Sequence, residues 1–257
     1  MRHLFTFLTL GLLLCSCGGQ KGNTSYEPPK PRPKDELPDT PSSTCKVFLA
    51  GDSTCAPKTE EDRPKYGWGE KFAPYLNGFT VENKAVGGKS TKTFISGGQW
   101  AKLLKSVSSG NVVLIQFGHN DENQTASDGR GTTPQEYGTN LDTFISDVKA
   151  KGAVPVILTP ICRRSFTDGV VDHTHGEYPA AAKKAATDGG VLLLDIEQLS
   201  YNWLTSLGEE ASALRYMVSV NGEDNTHLTE MGADEIAKMV AQALKDSGNS
   251  YLAALVK

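Results

Sequence analysis

The apolar run at residues 112–117, Val-Val-Leu-Ile-Gln-Phe, constrains the fold more than any other feature of this sequence. A strand that is apolar on both faces is typical of a parallel sheet covered on both sides. Further strands are predicted at residues 46–51, 79–86, 154–158 and 191–194. Helical patterns lie between and after them, at residues 68–76, 100–107, 134–152, 179–187, 197–207, 209–217 and 229–244. This alternation predicts an α/β fold, a five-stranded parallel sheet in a three-layer α/β/α sandwich.

Length and charge limit the classes of function. The chain has 257 residues, which suits one α/β domain of about 200 residues plus a leader. The formal net charge is −4 and no strongly basic stretch is present. Because phosphate binding needs clustered lysine and arginine, a nucleic-acid partner is disfavoured.

The amino terminus has the pattern of an export signal. Arg2 and His3 precede an apolar run at residues 4–14, which is too short to span a bilayer as a helix. Residues 14–17, Leu-Cys-Ser-Cys, resemble a bacterial lipobox with Cys17 as the lipidated cysteine. A plain secretory signal cut near Ser16 is the alternative. The first interpretation predicts a protein held on a bacterial membrane, at its periplasmic face or at the cell surface, only through the lipid on Cys17.

These patterns divide the chain into three parts. We interpret residues 1–17 as a lipoprotein signal peptide and residues 18–44 as a proline-rich tether, because the latter segment has no apolar periodicity. Residues 45–257 form the predicted catalytic domain. Its cysteines are Cys45, Cys55 and Cys162, among which one disulfide is possible, and the sequence does not select a pair. No CxxC spacing indicates a metal site, and no cofactor is predicted.

Conspicuous residues follow three of the predicted strands. Ser53 follows the first strand in the sequence Gly-Asp-Ser, Gly87 and Gly88 follow the second, and Asn120 follows the third in Gly-His-Asn-Asp. Ligand sites of open parallel sheets lie beyond the carboxyl ends of the strands. We therefore expect these residues to meet at one edge of the sheet.

Their chemistry is that of acyl transfer. A serine hydroxyl needs a base, and the base needs an orienting group. His227 is the candidate base, and Asp224 lies three residues earlier in the same predicted loop. The backbone N–H groups of Ser53 and Gly88 and the side-chain amide of Asn120 are candidate donors to the oxyanion. Each residue alone also fits an ordinary turn or helix cap.

The set of motifs resembles that of the SGNH, or GDSL-type, hydrolases. The four blocks are Gly-Asp-Ser at 51–53, Asn-Lys-Ala-Val-Gly-Gly-Lys-Ser at 83–90, Gly-His-Asn-Asp at 118–121 and Asp-Asn-Thr-His-Leu at 224–228. The resemblance implies a flavodoxin-like fold. It also implies Ser53 as nucleophile, Gly88 and Asn120 as oxyanion donors, and Asp224 with His227 as the rest of the triad.

Within that superfamily the chain resembles the rhamnogalacturonan acetylesterases, in residues 83–94 and again in residues 172–179. Lys89 and Lys92 stand where arginines are usual. The resemblance implies a serine esterase that removes O-acetyl groups from the pectic polysaccharide rhamnogalacturonan, with an acetylated polysaccharide or oligosaccharide as partner. A lipid-directed esterase or thioesterase, an acetylxylan-type esterase and a non-catalytic glycan-binding lipoprotein are the alternatives.

Support from the residues for a sugar substrate comes from two groups of side chains. Four aromatic side chains offer possible stacking faces: Trp68, Trp100, Phe166 and Tyr178. Core packing is the alternative, and it is favoured for the two tryptophans. Four basic side chains could meet a uronate carboxylate: Lys89, Arg163, Arg164 and Arg215. His173 and His175 form a His-x-His pair, for which a loop or substrate contact is favoured over a metal site.

Overall fold

We describe residues 40–257 from a computed structural model. The predicted signal peptide, at residues 1–17, and residues 18–39 of the predicted tether lie outside the described residues. Within residues 40–257, no helix has both the length and the apolar character needed to cross a membrane.

A five-stranded parallel sheet forms the centre of the domain, as predicted. Its strand order is β2-β1-β3-β4-β7, and every neighbouring pair is parallel. A separate two-stranded antiparallel ribbon pairs β5 with β6. In chain order the strands are β1 (Lys46–Gly51), β2 (Thr80–Asn83), β3 (Val112–Gln116), β4 (Val154–Leu158), β5 (Phe166–Thr167), β6 (Val170–Val171) and β7 (Leu192–Leu194).

Eight α-helices connect or follow these strands in the described part of the chain. They are α1 (Thr91–Ser96), α2 (Gln99–Ser106), α3 (Pro134–Ala150), α4 (Tyr178–Gly189), α5 (Ile196–Ser212), α6 (Val218–Asn221), α7 (Glu230–Lys245) and α8 (Ser250–Ala253). Short 3-10 turns add Glu60–Asp62, Trp68–Glu70, Ala73–Tyr75 and Ala213–Arg215.

Two hydrophobic cores lie on opposite faces of the sheet. Successive strand side chains point to opposite faces, so Val47 and Leu49 of β1 enter one core while Phe48 and Ala50 enter the other. The first core is completed by apolar residues of α5, α7 and α8. The second is completed by residues of α1, α2, α3 and α4. This arrangement is the predicted three-layer α/β/α sandwich of the flavodoxin-like class.

Several elements differ from their predicted bounds. The helix predicted over residues 68–76 is two 3-10 turns, Trp68–Glu70 and Ala73–Tyr75, separated by two residues. The strand predicted over 79–86 is limited to Thr80–Asn83. It lies at the edge of the sheet and pairs with β1 alone, so fewer of its residues form ladder bonds.

The sheet register brings the polar segments together. Gly51, the last residue of β1, lies opposite Gln116, the last residue of β3, while Asn83 at the end of β2 lies opposite Leu49. The chain therefore leaves three adjacent strands at the same edge. Asp52, Gly87 and Gly118 follow these strands closely in sequence, which places the predicted site residues on neighbouring loops.

Candidate active site

Ser53, His227 and Asp224 form a continuous hydrogen-bonded chain. The Nε2 atom of His227 lies 3.0 Å from the Oγ atom of Ser53, although 174 residues separate the two. The Nδ1 atom of the same ring lies 2.8 Å from Oδ2 of Asp224. With Nδ1 protonated and facing the carboxylate, Nε2 is free to accept the serine proton. The geometry is that of an activated serine nucleophile.

Hydrogen bonds from backbone N–H groups stabilise the loop that carries the histidine. Oδ1 of Asp224 accepts the N–H groups of Thr226 and His227, at 3.1 and 2.9 Å. The carbonyl of His227 accepts the N–H of Met217 at 2.9 Å. Burial alone would raise the pKa of Asp224, but the backbone hydrogen bond and the charge of His227 lower the pKa below its ordinary value. Asp224 is therefore ionised at neutral pH and orients the imidazole.

The turn after β1 fixes the position of Ser53 through Asp52. Asp52 is fully buried, and its Oδ1 accepts the N–H and hydroxyl groups of Thr54 at 2.9 and 2.8 Å. Its Oδ2 lies 3.1 Å from Nδ1 of His119. Burial would raise the pKa of Asp52, but the charge and hydrogen bond of His119 lower it. The carboxylate thus links the loop of Ser53 to the loop of Asn120.

The glycine pair after β2 lies beside the serine. A Cβ placed on Gly87 would be 3.8 Å from the Cβ of Ser53. Gly88 has φ +74°, a left-handed conformation that favours glycine. Both glycines are exposed at the surface. The backbone here is open to a substrate carbonyl, as an oxyanion donor at Gly88 requires.

The Asn120 side chain is fixed at both ends of its amide. Its Nδ2 donates to the carbonyl of Lys89 at 3.0 Å, and its Oδ1 accepts from Nη1 of Arg130 at 3.2 Å. One N–H of Nδ2 has no partner in these two bonds and can serve a substrate oxygen. The structure therefore brings all five predicted site residues to one edge of the sheet.

Comparison with known proteins identifies the family of this chain. Residues 49–235 match the model of the GDSL-like lipase/acylhydrolase family. The chain is 36% identical over 214 residues to rhamnogalacturonan acetylesterase RhgT of Bacillus subtilis, covering 79% of this chain and 90% of that protein. It is 33% identical to the probable rhamnogalacturonan acetylesterase YesY of Bacillus subtilis, covering 82% and 97%. This chain belongs to the GDSL-like lipase/acylhydrolase family.

Solved structures agree with that assignment. The crystal structure of Bacillus subtilis YxiM has a TM-score of 0.72 and 30% identity to this acylhydrolase, covering 80% of this chain and 57% of that longer chain. An acetylxylan esterase from Geobacillus stearothermophilus has a TM-score of 0.58 at 13% identity, covering 79% of this chain and 96% of that one. The second likeness concerns the fold alone.

A buried polar network joins the loops of this acylhydrolase behind the site. The carbonyl of Ile161 accepts from Nε2 of both His119 and His175, at 3.1 and 2.8 Å. Nδ1 of His175 lies 2.9 Å from Glu122, which also forms an ion pair with Arg163. Arg163 in turn donates to Thr226 Oγ1 at 3.2 Å. The network connects the Asn120 loop to the His227 loop.

Asp121 ties the same loop to α1. Its carboxyl group accepts the N–H and hydroxyl groups of Thr91 and the hydroxyl of Thr132. Burial raises the pKa of Asp121 to about 7, and the hydrogen bonds only partly oppose that effect. Asn120 is thus the neighbour of a buried carboxyl group that titrates near neutral pH.

Most of the predicted sugar-contacting side chains have other roles. Trp68, Trp100 and Tyr178 are buried, at 1%, 4% and 5% exposure, and pack in the cores or bond to protein groups. Core packing, the interpretation favoured for the two tryptophans, is what the structure shows. Tyr178 is buried as well, so it offers no stacking face, whereas Phe166 is partly exposed. The arginines have protein partners, which are Glu122 for Arg163, Asn225 for Arg164 and Glu235 for Arg215.

Two cations beside the site were not anticipated from the sequence. Arg130 contacts Asn120, and Lys58 donates from Nζ to the backbone carbonyl of Ser53 at 2.5 Å. Burial lowers the pKa of Lys58 below its ordinary value. Both residues lie in polar loops without periodicity, where only their short sequence distance from Asn120 and Ser53 could have indicated a role.

The cysteines and histidines outside the triad form no ligand cluster in residues 40–257. Within those residues, no group of three or more His, Cys, Asp or Glu side chains is arranged to hold a metal ion. Cys45, Cys55 and Cys162 are buried free thiols. His173 lies 2.6 Å from Glu197, and His175 belongs to the buried network.

Proposed function

We propose that this protein is a serine acetylesterase that removes O-acetyl groups from rhamnogalacturonan. The observation that carries the proposal is the Ser53–His227–Asp224 chain, with contacts of 3.0 and 2.8 Å. It occurs in a chain that is 36% and 33% identical to two proteins named as rhamnogalacturonan acetylesterases. A fungal rhamnogalacturonan acetylesterase, from Emericella nidulans, is 25% identical over 221 residues.

The proposed reaction has two steps. In the first, Ser53 Oγ attacks the carbonyl carbon of the acetyl ester and His227 Nε2 takes the hydroxyl proton. The N–H groups of Ser53 and Gly88 and the amide of Asn120 donate to the oxyanion. The bond to the sugar oxygen then breaks, and His227 gives its proton to that oxygen, leaving acetyl-Ser53.

Water completes the cycle. His227 takes a proton from a water molecule, whose oxygen attacks the acetyl carbon of acetyl-Ser53. When the ester bond to Ser53 breaks, His227 returns the proton to Oγ and acetate leaves. Asp224 stays ionised throughout, because its lowered pKa reflects bonds that it makes to the His227 backbone and ring.

The test is acetate release from acetylated rhamnogalacturonan, compared with acetylated xylan. We expect faster release from rhamnogalacturonan, and Ser53→Ala should lower turnover by about 10⁵-fold or more, as for other serine triads. Ser146→Ala is the matched control, because Ser146 is exposed on α3 and bonds only within its helix. Near-normal turnover by Ser53→Ala would refute the mechanism, and faster release from xylan would refute the substrate.

We further propose that residues 1–17 direct export and that Cys17 is the lipid-anchored residue, with residues 18–44 as the tether. The support is the apolar run at residues 4–14 followed by Leu-Cys-Ser-Cys. A Cys17→Ser variant should lose labelling by a radioactive fatty acid in a bacterial host, whereas Cys15→Ser should keep it. Labelling that survives Cys17→Ser would exclude Cys17 as the anchor.

A further inference from the structure

Asn120 can present only one end of its amide to the substrate. Arg130 carries only hydrogen-bond donors, so its Nη1 must face the amide oxygen, and the Lys89 carbonyl is only an acceptor, so it must face Nδ2. The two contacts, at 3.2 and 3.0 Å, therefore exclude the flipped amide. In the flipped orientation Asn120 would present an oxygen to the negatively charged intermediate, which would be repelled.

Arg130 is itself held in place by Asp128. The Nε atom of Arg130 donates to Oδ1 of Asp128 at 2.9 Å, and Nη2 lies 2.6 Å from Oδ2, which is the bidentate arrangement of an arginine–carboxylate pair. The backbone N–H of Arg130 also donates to Oδ1, at 3.2 Å. With Nε and Nη2 engaged, Nη1 is the end of the guanidinium directed at the site.

The same end of Arg130 lies beside Gly88. A Cβ placed on Gly88 would be 3.8 Å from Nη1. The guanidinium thus borders two of the three proposed oxyanion donors, Gly88 and Asn120. Its side chain retains 30% exposure, so it closes no core and its removal opens no buried cavity.

We propose that Arg130 is a positioning residue that fixes the Asn120 amide with Nδ2 available to the oxyanion. The inference rests on the proposed function only through the donor role of Asn120. It does not depend on which sugar or polymer carries the acetyl group. It can therefore be tested on a small acetyl ester.

The experiment is a double-mutant cycle with p-nitrophenyl acetate. We expect Asn120→Ala to lower kcat by about 10²- to 10³-fold, as for other oxyanion donors. Arg130→Met should lower kcat by about 10- to 100-fold, as for a lost charge-assisted bond, with KM changed less than about threefold. Because Arg130 acts through Asn120, the double variant should be no more than about threefold slower than Asn120→Ala alone.

Two measurements separate this role from a structural one. The Tm of Arg130→Met should stay within about 2 °C of the parent, since exposed ion pairs contribute little stability. Lys184→Met is the matched control, because Lys184 is a cation on α4 that is 75% exposed and paired with Asp188. The kcat of this variant should equal that of the parent.

The outcomes that overturn the proposal are distinct. If the two losses multiply in the double variant, Arg130 acts independently of Asn120 and the inference fails while the proposed function stands. An Arg130→Met variant with parental kcat would also refute it, as would a kcat loss accompanied by a large fall in Tm. Normal turnover by Asn120→Ala would overturn the oxyanion role in the proposed function, and the role of Arg130 with it.

Discussion

Three aspartates near the site show how surroundings set the charge of a side chain. Asp52 and Asp224 each face a histidine and accept backbone N–H groups, and their pKa values are lowered despite burial. Asp121 has no cationic partner among its contacts, and burial raises its pKa to about 7. The first two are charged at neutral pH, whereas Asp121 is only partly ionised there.

Replacing Asp121 by Asn should flatten the pH dependence of stability. Between the ordinary pKa of 3.8 and the folded value of about 7, the folded state keeps a proton that the unfolded state has released. Because the folded state binds more protons, the free energy of unfolding falls as pH rises through this interval. Removing the group removes that fall, which between pH 5 and pH 7.5 we expect to be about 2–3 kcal/mol.

Urea unfolding at pH 5 and pH 7.5 measures this effect. Asp121→Asn keeps an amide oxygen at the position of Oδ1, which accepts both the Thr91 and the Thr132 hydroxyl groups. The Thr91 N–H also keeps its 3.1 Å contact with that oxygen, so the substitution removes the charge and only the 3.2 Å contact of this N–H with Oδ2. An equal loss of stability between the two pH values in the parent and the variant would show that Asp121 does not titrate as described.

Ser53, Gly88 and Asn120 could be predicted as site residues because each follows a strand closely in sequence. Asp224 and His227 lie in the loop between α6 and α7, and they could be predicted from their residue types and their three-residue spacing. Ser53, Gly88, Asn120, Asp224 and His227 were all anticipated, and the structure brings them together. Arg130 could not be anticipated, because a polar loop has no periodicity that relates residue 130 to residue 120. Arg163 was one of four candidates to meet a uronate or to lie solvated on the surface, but it pairs with Glu122, since the sequence shows a charge and not its partner.

At the scale of single elements, α5 contains a position that is not helical. Gly208 has φ 74° and ψ 173°, so α5 consists of two helical segments that meet at a kink at this residue. The sequence predicted separate helices over residues 197–207 and 209–217, with the boundary at this glycine. Gly138 in α3 differs, because it lies within a regular helix and a Cβ there would meet no atom within 4 Å.

The two glycines should therefore respond in opposite ways to the same substitution. Gly208→Ala forces a side chain into a conformation nearly restricted to glycine and should lower the free energy of unfolding by about 1–3 kcal/mol. Gly138→Ala removes a flexible residue from a helix interior and should raise it by about 0.5–1 kcal/mol. Urea unfolding of both variants at one pH gives the comparison, and a stabilising Gly208→Ala would contradict the assigned backbone geometry.

Element prediction succeeded where a segment lies in the middle of the sheet. The bounds of β1 and β4 match the predicted residues, because both strands are buried at every position after the first and so form unbroken apolar runs. The prediction was less accurate at the edge, where β2 is shorter than expected, and around Trp68, where 3-10 turns replace a helix. The short ribbon of β5 and β6 was missed, since two-residue strands have no measurable period.

At the scale of the whole molecule, the sheet separates two cores while its edge collects the polar loops. Layering followed from the alternation of strands and helices, which is why it could be predicted. The aromatic side chains that enter a core could not be predicted in the same way, because helical spacing does not distinguish a buried tryptophan from one at the surface. Trp68 lies in the first core and donates a hydrogen bond to Gln116, and Trp100 lies in the second and donates one to Asp147.

The 174-residue separation between Ser53 and His227 has a consequence for biogenesis. A polypeptide that is truncated or still emerging carries a hydroxyl without its base, so it is inert toward esters. Hydrolysis begins only when the carboxyl-terminal third has docked. Enzyme activity in a cell extract therefore counts only chains that contain both Ser53 and His227, and chains that end before residue 227 add nothing to the signal.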